Sequence, residues 1–447
     1  MEPINARKYA LDILMDIEKN KAFSNIAINR QLKGQEIVPM DRRFVTELVY
    51  GVLENKLYLD FIIGAFSKIK IKKINKVVLN ILRMGLYQMI YLDKIPEFAA
   101  VNESVKLVKK MDYRATAFVN GILRNYLRNK EKVKMPTLQA QPIEHLSIKY
   151  SHPTWMVERW LKQFGQDFTE SMLKANNETP KLTIRTNTLK ITREALIEHL
   201  QNEGIQASKG IYIDEAIYIE NIGNLQEWES FHKGLFQIQD ESSMCVAHVM
   251  DPKPGELIVD VCAAPGGKTT HIAQLMENKG RILARDIYDH KLKLIDDNAL
   301  RLGIDVIKTM RFNAKALDHS LLEKADRVLV DAPCSGLGII RRKPELKYNK
   351  CPDDIEDITM LQLEILNNAS KYVKEDGILV YSTCTIEKEE NIGVVEKFIE
   401  QNRNFEILDV NDVLPKTLRS KEKYLQLYPN IHGMDGFFIC KFKKKYS

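Results

Sequence analysis

The chain has 447 residues, of which 45% are hydrophobic and 28% are charged, a composition typical of two or three globular domains and not of a disordered chain. All six cysteines follow residue 244 at spacings that resemble no disulfide framework, so a reducing, cytoplasmic location is predicted. The start Met1-Glu2-Pro3 lacks the cationic and apolar segments of a signal peptide, and the most apolar run, Val77 to Leu92, is too short to cross a bilayer. We therefore expect neither secretion nor a membrane partner.

Positive charge is concentrated in the N-terminal third. Residues 1–150 carry 26 Lys and Arg against 15 Asp and Glu, a net charge of +11. Residues 151–447 carry 40 against 45, a net charge of −5. One interpretation is a basic module that faces a polyanion, and the other is a surface that is merely soluble.

The first third has the apolar spacing of helices. Apolar residues recur at intervals of three and four from Asn5 to about Asn129, which predicts an all-α domain over residues 1–130. Its last helix is predicted from about Arg114 to Arg128. Arg124 and Arg128 share one face of that helix, where they contact either RNA phosphates or only water.

The middle of the chain contains a linker and a small mixed domain. The proline-punctuated segment 131–142 is predicted to be the linker. Residues 143–236 combine one helix, Thr192 to Asn202, with short β-rich runs, which predicts a small α+β subdomain. The predicted strands are 182–186, 211–213 and 216–219.

Strand, turn and helix signals alternate over residues 237–447. The predicted strands are apolar on both faces, as expected of a parallel sheet with helices on each side, so this region is predicted to be a doubly wound α/β domain. The predicted strands are 257–261, 281–284, 306–310, 328–330 and 378–381. The clearest predicted helices are 291–302 and 358–372.

The first of these strands leads into a glycine-rich turn, Cys262-Ala263-Ala264-Pro265-Gly266-Gly267-Lys268. Paired glycines let the backbone approach a ligand, and the next helix would offer free amides at its N-terminus. The spacing is neither the dinucleotide fingerprint nor a P-loop. It favours a small ligand with a carboxylate and a ribose, with a plain tight turn as the alternative. Asp286, which ends the second strand, is placed to accept hydrogen bonds from ribose hydroxyls unless it only caps a helix.

Two cysteines follow neighbouring predicted strands. Cys334 follows Asp331 at the end of the fourth strand, and Cys384 follows the fifth. The carboxyl ends of adjacent parallel strands line one crevice, so these three side chains are expected to converge. A single cysteine is usually buried packing, but a pair at equivalent strand ends favours chemistry. Zinc binding is the alternative, but the cysteines and histidines lack the spacing of zinc ligands, so no metal site is predicted.

The ordered motifs Cys262 to Lys268, Asp331-Ala-Pro-Cys334 and Ser382-Thr-Cys384 resemble those of the RNA cytosine-C5 methyltransferases, the Sun/Nol1/Nop2 family. The basic N-terminal third resembles the NusB-like RNA-binding domain that bacterial members carry in front of the catalytic domain. The fold implied is a class I S-adenosylmethionine-dependent methyltransferase (Rossmann-like) α/β domain, preceded by an all-α NusB-like domain and a small α+β, RRM-like subdomain. The implied reaction is S-adenosylmethionine-dependent methylation of a 16S rRNA cytosine at C5, by resemblance cytosine 967.

The resemblance also implies roles for single residues. C5 of cytosine is a poor nucleophile, so a thiolate first adds to C6. The family gives this attack to Cys384 and product release to Cys334. Asp331 would bind the cytosine ring edge, and Lys268 would position the base or the cofactor. The implied contacts to S-adenosylmethionine are Cys262, Ala263, Ala264, Pro265, Gly266, Gly267, Lys268, Asp286, Asn313 and Asp331.

Two positions depart from the family pattern. Asn313 stands where an acidic residue usually lies near the adenine, although an amide oxygen still accepts a hydrogen bond. Arg285 precedes Asp286 where a small or apolar residue is common. Neither position touches the two cysteines, so the departures concern cofactor affinity and not the reaction.

RNA contacts are expected in three places: Arg124 and Arg128, Arg185, and a basic run after Cys334. The run contains Arg341, Arg342, Lys343 and Lys347. It is interpreted either as a flexible loop that holds the RNA backbone while the target base turns outward, or as a solvated turn. The expected partner is unassembled or partly assembled 16S rRNA, bound by a monomer. The alternatives are the same reaction on tRNA and a non-catalytic RNA-binding protein.

Overall fold

The computed structural model describes residues 5–35, 37–220 and 228–446. Met1, Glu2 and Pro3, on which the signal-peptide prediction rests, lie outside these ranges. Within them, no helix has the length and apolar character that crossing a membrane requires. The helices α1 to α19 are Ala6–Asn20, Ser24–Leu32, Pro39–Glu54, Lys56–Phe66, Lys76–Tyr91, Glu97–Met111, Thr116–Arg128, Pro142–Tyr150, Thr154–Phe164, Gln166–Ala175, Arg193–Asn202, Glu229–His232, Glu241–Met250, Gly267–Leu275, Asp289–Leu302, Leu346–Asn349, Pro352–Ser370, Ile392–Gln401 and Pro429–His432. The strands β1 to β12 are Leu182–Thr186, Gln206–Lys209, Ala216–Glu220, Phe236–Ile238, Leu257–Asp260, Arg281–Asp286, Ile307–Arg311, Ala325–Asp331, Val373–Thr383, Phe405–Leu408, Leu425–Leu427 and Phe437–Lys444.

The chain forms two compact units. The first contains Met1–Glu178 together with Ile340–Cys351, and the second contains Thr179–Ile339 together with Pro352–Ser447. The first unit is helical, which confirms the all-α prediction for the N-terminal third. Helices α8 to α10 also belong to it, so the boundary between the units lies later than the predicted linker 131–142.

Helix α5 is the centre of the first unit. Residues Val78 to Met89 are all buried, so this helix is covered on every side instead of on one stripe. Its polar side chains are paired inside the unit. The buried Arg83 donates to both carboxylate oxygens of Asp60 at 2.7 and 2.8 Å and to Glu18 at 2.7 Å. Such pairing removes the cost of burying a charge and fixes α4 and α1 against α5.

The basic run after Cys334 is part of the first unit instead of a flexible loop. Glu345 accepts from the Ser24 N–H at 2.9 Å, Lys347 donates to the Glu54 carbonyl at 2.9 Å, and the Tyr348 hydroxyl donates to the Leu53 carbonyl at 2.8 Å. Lys347 is fully buried and Arg341 is only 8% exposed. The prediction of a flexible basic loop is therefore wrong, because Lys347 and its neighbours Glu345 and Tyr348 bond to main-chain groups about 300 residues earlier in the sequence.

The second unit begins with a four-stranded antiparallel sheet of order β2-β3-β1-β4, which confirms the α+β subdomain. Thr192 caps α11 by accepting from the Ala195 N–H at 3.3 Å. The predicted strand 211–213 is wrong. The Tyr212 and Ile213 N–H groups both donate to the Glu241 carboxylate, at 2.8 and 2.9 Å, which replaces a strand partner.

The larger sheet has the order β10-β12-β9-β8-β5-β6-β7, with β11 paired to β12. Strands β5 to β9 are parallel and β12 is antiparallel, so the predicted doubly wound α/β domain is confirmed with a mixed edge. Consecutive residues alternate between two cores: Ile258 packs with α13 and α14, and Val259 packs with α17 and α18. The carboxyl ends of β5, β6, β8 and β9 therefore meet at one edge of the sheet.

Candidate active site

The glycine-rich turn follows β5 and leads into α14. Gly266 has φ +97, and a Cβ there would lie 3.2 Å from Ile295, so a side chain would be strained and crowded. Helix α14 begins at Gly267 with no side-chain cap and no acidic residue in its first turn. The free amides and partial positive charge of this helix end suit the carboxylate of a ligand.

Arg185 braces this turn from inside the second unit. It is 1% exposed and donates to the Gly267 carbonyl at 2.7 Å, to Thr270 Oγ1 at 3.1 Å and to Gln274 Oε1 at 3.2 Å. Its predicted role as an RNA contact is corrected, because a guanidinium bonded in this way leaves no surface for a phosphate. Sequence position alone could not distinguish a buried arginine from an exposed one.

The other predicted cofactor contacts lie at the ends of the neighbouring strands β6 and β7. Asp286 ends β6, is half-buried and accepts from the Tyr288 N–H at 3.1 Å, which leaves acceptor capacity for hydroxyl groups. Asn313 follows β7, is exposed, and accepts from the Lys315 N–H at 3.0 Å through its side-chain oxygen. Arg285 is buried, pairs with Asp318, and lies 4.4 Å from the centre of the Phe312 ring. Its ion pair and ring contact explain how a charged residue fits that strand.

Asp331 lies between two donors at the end of β8. Lys268 Nζ donates to Asp331 Oδ2 at 2.6 Å, and Ser382 Oγ donates to Oδ1 at 2.8 Å. Burial opposes the charge of Lys268, but the Asp331 carboxylate outweighs it and raises the pKa of the ammonium. A fixed carboxylate and a fixed cation therefore face the same crevice.

The two predicted cysteines are adjacent. Cys334 Sγ and Cys384 Sγ are 3.3 Å apart, within hydrogen-bond reach. The hydrogen bond to Cys384 and then burial raise the pKa of Cys334 well above its usual range. Cys334 therefore remains a thiol, and either sulfur can donate in the contact between the two cysteines. Burial, with nearby carboxylates, also raises the pKa of Cys262, so Cys262 is not a competing nucleophile.

A buried glutamate that the sequence did not single out joins the two cysteine loops. Glu390 accepts from the Ser335 N–H at 2.8 Å, from Gln362 Nε2 at 3.0 Å and from Thr385 Oγ1 at 3.2 Å. Ser335 Oγ and Thr385 Oγ1 are themselves 2.8 Å apart. Glu390 thus holds the residues that follow both thiols. Other glutamates lie close to Glu390 in the sequence, so only its contacts in the structure distinguish it from them.

One group among the described residues has the composition of a metal site. Glu215 Oε1 lies 2.8 Å from His248 Nε2 and 2.6 Å from His271 Nε2. These are hydrogen-bond lengths, and burial lowers the pKa of His271 to about 3, so its ring is neutral. Both histidine Nε2 atoms therefore lie at hydrogen-bond distance from one carboxylate oxygen, while His271 Nδ1 has no hydrogen-bond partner among the described residues.

Three family profiles match the chain. The profile described as 16S rRNA methyltransferase RsmB/F matches residues 247–443, the NusB family matches residues 4–128, and a ferredoxin-like domain of RsmF/B-like methyltransferases matches residues 152–226. Among curated proteins, a probable ribosomal RNA small subunit methyltransferase B of Bacillus subtilis (strain 168) is 40% identical over 100% of both chains. A protein of the same description from Synechocystis sp. is 35% identical over 99% of this chain and 100% of its own.

Solved structures share the same architecture. The crystal structure of PH0851 is 27% identical, with a TM-score of 0.83 over 99% of both chains. The crystal structure of NSun6 from Pyrococcus horikoshii with SFG is 28% identical, with a TM-score of 0.60 over 66% of this chain and 99% of that one.

Proposed function

Because this chain belongs to the family of ribosomal RNA small subunit methyltransferase B, we propose that it methylates C5 of one cytosine in 16S rRNA, by family resemblance cytosine 967. It is an rRNA methyltransferase that uses S-adenosylmethionine. The observation that carries the finer proposal is the pair of thiols 3.3 Å apart beside the Lys268–Asp331 ion pair. Two cysteines and a carboxylate are what addition to C6 and its reversal require.

The residues at the strand ends fit S-adenosylmethionine. Gly266 leaves room where a side chain would clash, and the uncapped N-terminus of α14 suits the carboxylate of the methionine part. Asp286 has acceptor capacity for the ribose hydroxyls, and the amide of Asn313 for the adenine amino group. When bound, this cofactor supplies an electrophilic methyl group.

We assign a separate role in the reaction to each side chain of the crevice. The Cys384 thiolate forms a bond from Sγ to C6, and the electron pair of the C5–C6 double bond becomes available at C5. Asp331, held by Lys268 and Ser382, hydrogen-bonds the cytosine edge and supports protonation at N3. After C5 has gained its methyl group, a water molecule accepts the C5 proton, the electron pair of that C–H bond re-forms the C5–C6 double bond, and the Sγ–C6 bond breaks with its electron pair returning to Cys384 as the thiolate. Cys334 is assigned to this release step because its sulfur is adjacent to the leaving thiolate.

Substrate identity is tested by methyl transfer to two RNAs. The purified protein is incubated with labelled S-adenosylmethionine and either unmodified 16S rRNA or unmodified tRNA, and the RNA is digested to nucleosides. We expect label in 5-methylcytidine from 16S rRNA only. Label from tRNA alone would support the tRNA alternative, and no label in either would support a non-catalytic RNA-binding protein.

The cellular setting follows from the same chemistry. We propose a monomer that acts in the cytoplasm on unassembled or partly assembled 16S rRNA, where Arg124 and Arg128 on the exposed face of α7 contact the RNA. Arg342, which is half-buried, is proposed as a further RNA contact, whereas Arg341 is buried. A reducing compartment keeps both thiols from oxidation.

Glu390→Gln is expected to slow the reaction without weakening binding. The amide would place an N–H group against donors that now meet carboxylate oxygens, so both cysteine loops would shift. We expect kcat to fall by about 10- to 100-fold, with KM for RNA and cofactor changed by less than about twofold. The matched control is Glu389→Gln at the exposed neighbouring position. A merely structural role would instead lower the melting temperature and leave kcat per folded molecule unchanged.

A further inference from the structure

The connector between α4 and α5, residues 67–75, and the first residue of α5 carry concentrated positive charge. Residues 61–92 contain no Asp or Glu. Their one arginine, Arg83, is buried and paired with Asp60 and Glu18. The remaining charge comes from five exposed lysines: Lys68, Lys70, Lys72, Lys73 and Lys76. Among the residues that the structure describes, no carboxylate forms an ion pair with any of the five, so their charge is uncompensated within the first unit.

The connector is held in one conformation by its own contacts. Ser67 Oγ donates to the Ile69 carbonyl at 2.8 Å, and the Lys73 N–H donates to the Lys70 carbonyl at 2.8 Å. Asn75 caps α5 by accepting from the Val77 N–H at 2.8 Å. Ile74 is 8% exposed and anchors the segment in the helical core. The lysines are therefore presented on an ordered segment, which reduces the entropy lost when they bind a ligand.

An open groove of about 750 Å³ adjoins the connector. Helix α4 lines it with Leu57, Phe61 and Gly64, and the connector lines it with Ile71 and Lys72. The lining is mostly apolar, and Phe61 is a half-buried ring outside the packed core. Its volume is within the range of pockets that accept ligands of the size of a nucleoside.

We propose that this connector and groove form an RNA-binding surface of the first unit. The lysines bind consecutive phosphates of an unpaired rRNA segment, and one unstacked base enters the groove beside Phe61. This inference rests on the proposed function, because it takes rRNA as the substrate. RNA is the occupant favoured by the chemistry, since an unpaired strand combines closely spaced phosphates with flat bases that stack on aromatic rings, and the proposed substrate is rRNA.

The charge half of this proposal is tested with a quadruple variant in the full chain, Lys68→Gln, Lys70→Gln, Lys72→Gln and Lys73→Gln. The dissociation constant for 16S rRNA is measured between 50 and 300 mM salt. We expect binding about 10- to 100-fold weaker at low salt, and a slope of log Kd against log salt smaller by about 3. We expect kcat at saturating RNA to be unchanged, because no substituted residue belongs to the catalytic crevice.

A second quadruple variant gives the same change in net charge on the other unit. Its exposed positions, each changed to Gln, are Lys371, Lys397, Lys416 and Lys421. We expect this control to change Kd by less than about threefold. Equal effects of the two variants would overturn the inference. Methylation of 16S rRNA with an unchanged KM in the first variant would overturn it as well, whereas no methylation by the unaltered protein would contradict the proposed function instead.

The groove is tested by filling it. Gly64 lies inside α4, and a Cβ there would meet only the Ile71 side chain at 4.0 Å, so Gly64→Leu fits the helix and improves its propensity. We expect an unchanged or higher melting temperature and RNA binding about 5- to 10-fold weaker. The slope of log Kd against log salt concentration should stay the same, because the substitution fills the groove without changing the charge of the protein. RNA binding as tight as that of the unaltered protein would exclude the groove from the proposed surface.

Discussion

Cys384→Ala is expected to abolish methyl transfer, with kcat lower by about four orders of magnitude or more. The reason is that neither of the other described cysteines near the crevice is expected to be ionised. Burial and neighbouring groups raise the pKa of both Cys262 and Cys334, so neither supplies a thiolate near neutral pH. The measurement is single-turnover transfer of labelled methyl groups to unmodified 16S rRNA.

Binding should survive the same substitution. The side chain of Cys384 is half-buried at the end of β9, and losing one sulfur leaves the turn at Gly266 intact. We expect dissociation constants for cofactor and RNA to change by less than about threefold. Cys351→Ala, at an exposed cysteine of the first unit, is the matched control and should retain activity. Retention of activity by Cys384→Ala would remove Cys384 as the nucleophile.

Cys334→Ala is expected to trap the enzyme on its RNA. The substitution leaves Cys384 able to attack C6 but removes the adjacent sulfur that the release step uses. A covalent protein–RNA complex should then accumulate and persist on a denaturing gel, while turnover falls by at least about 100-fold. The double variant Cys334→Ala/Cys384→Ala should form no such complex. Normal turnover with no trapped complex would exclude Cys334 from product release.

The arrangement of the strand ends could be predicted from the sequence. Asp331 on β8 pairs with Ser382 on β9. Cys334 lies three residues after Asp331, and Cys384 lies two residues after Ser382. Two apolar strands that each end in a cysteine motif are enough to predict such a meeting, because parallel strands share one carboxyl edge. The glycine-rich turn could also be predicted from the sequence, because glycine is the residue that adopts a positive φ most readily, as Gly266 does.

The roles of buried polar residues could not be predicted in the same way. Arg185 and Lys347 are of residue types that usually lie on the surface. Each is buried here, where it donates a hydrogen bond to a main-chain carbonyl far away in the sequence. Glu241 similarly replaces a strand partner for residues 212 and 213. Hydrogen-bond partners this distant leave no periodic trace in a sequence, since periodicity reports only burial along one element.

The covalent step is tested most directly with 16S rRNA that contains 5-fluorocytosine. Fluorine at C5 leaves no proton to remove, so the adduct cannot be released after methylation. The protein is digested with trypsin, and the cysteine attached to the nucleotide is identified by mass spectrometry. The two candidates fall in different peptides, residues 375–388 for Cys384 and residues 328–341 for Cys334. We predict a methylated nucleotide on Cys384, and attachment to Cys334, or no covalent complex, would contradict the mechanism.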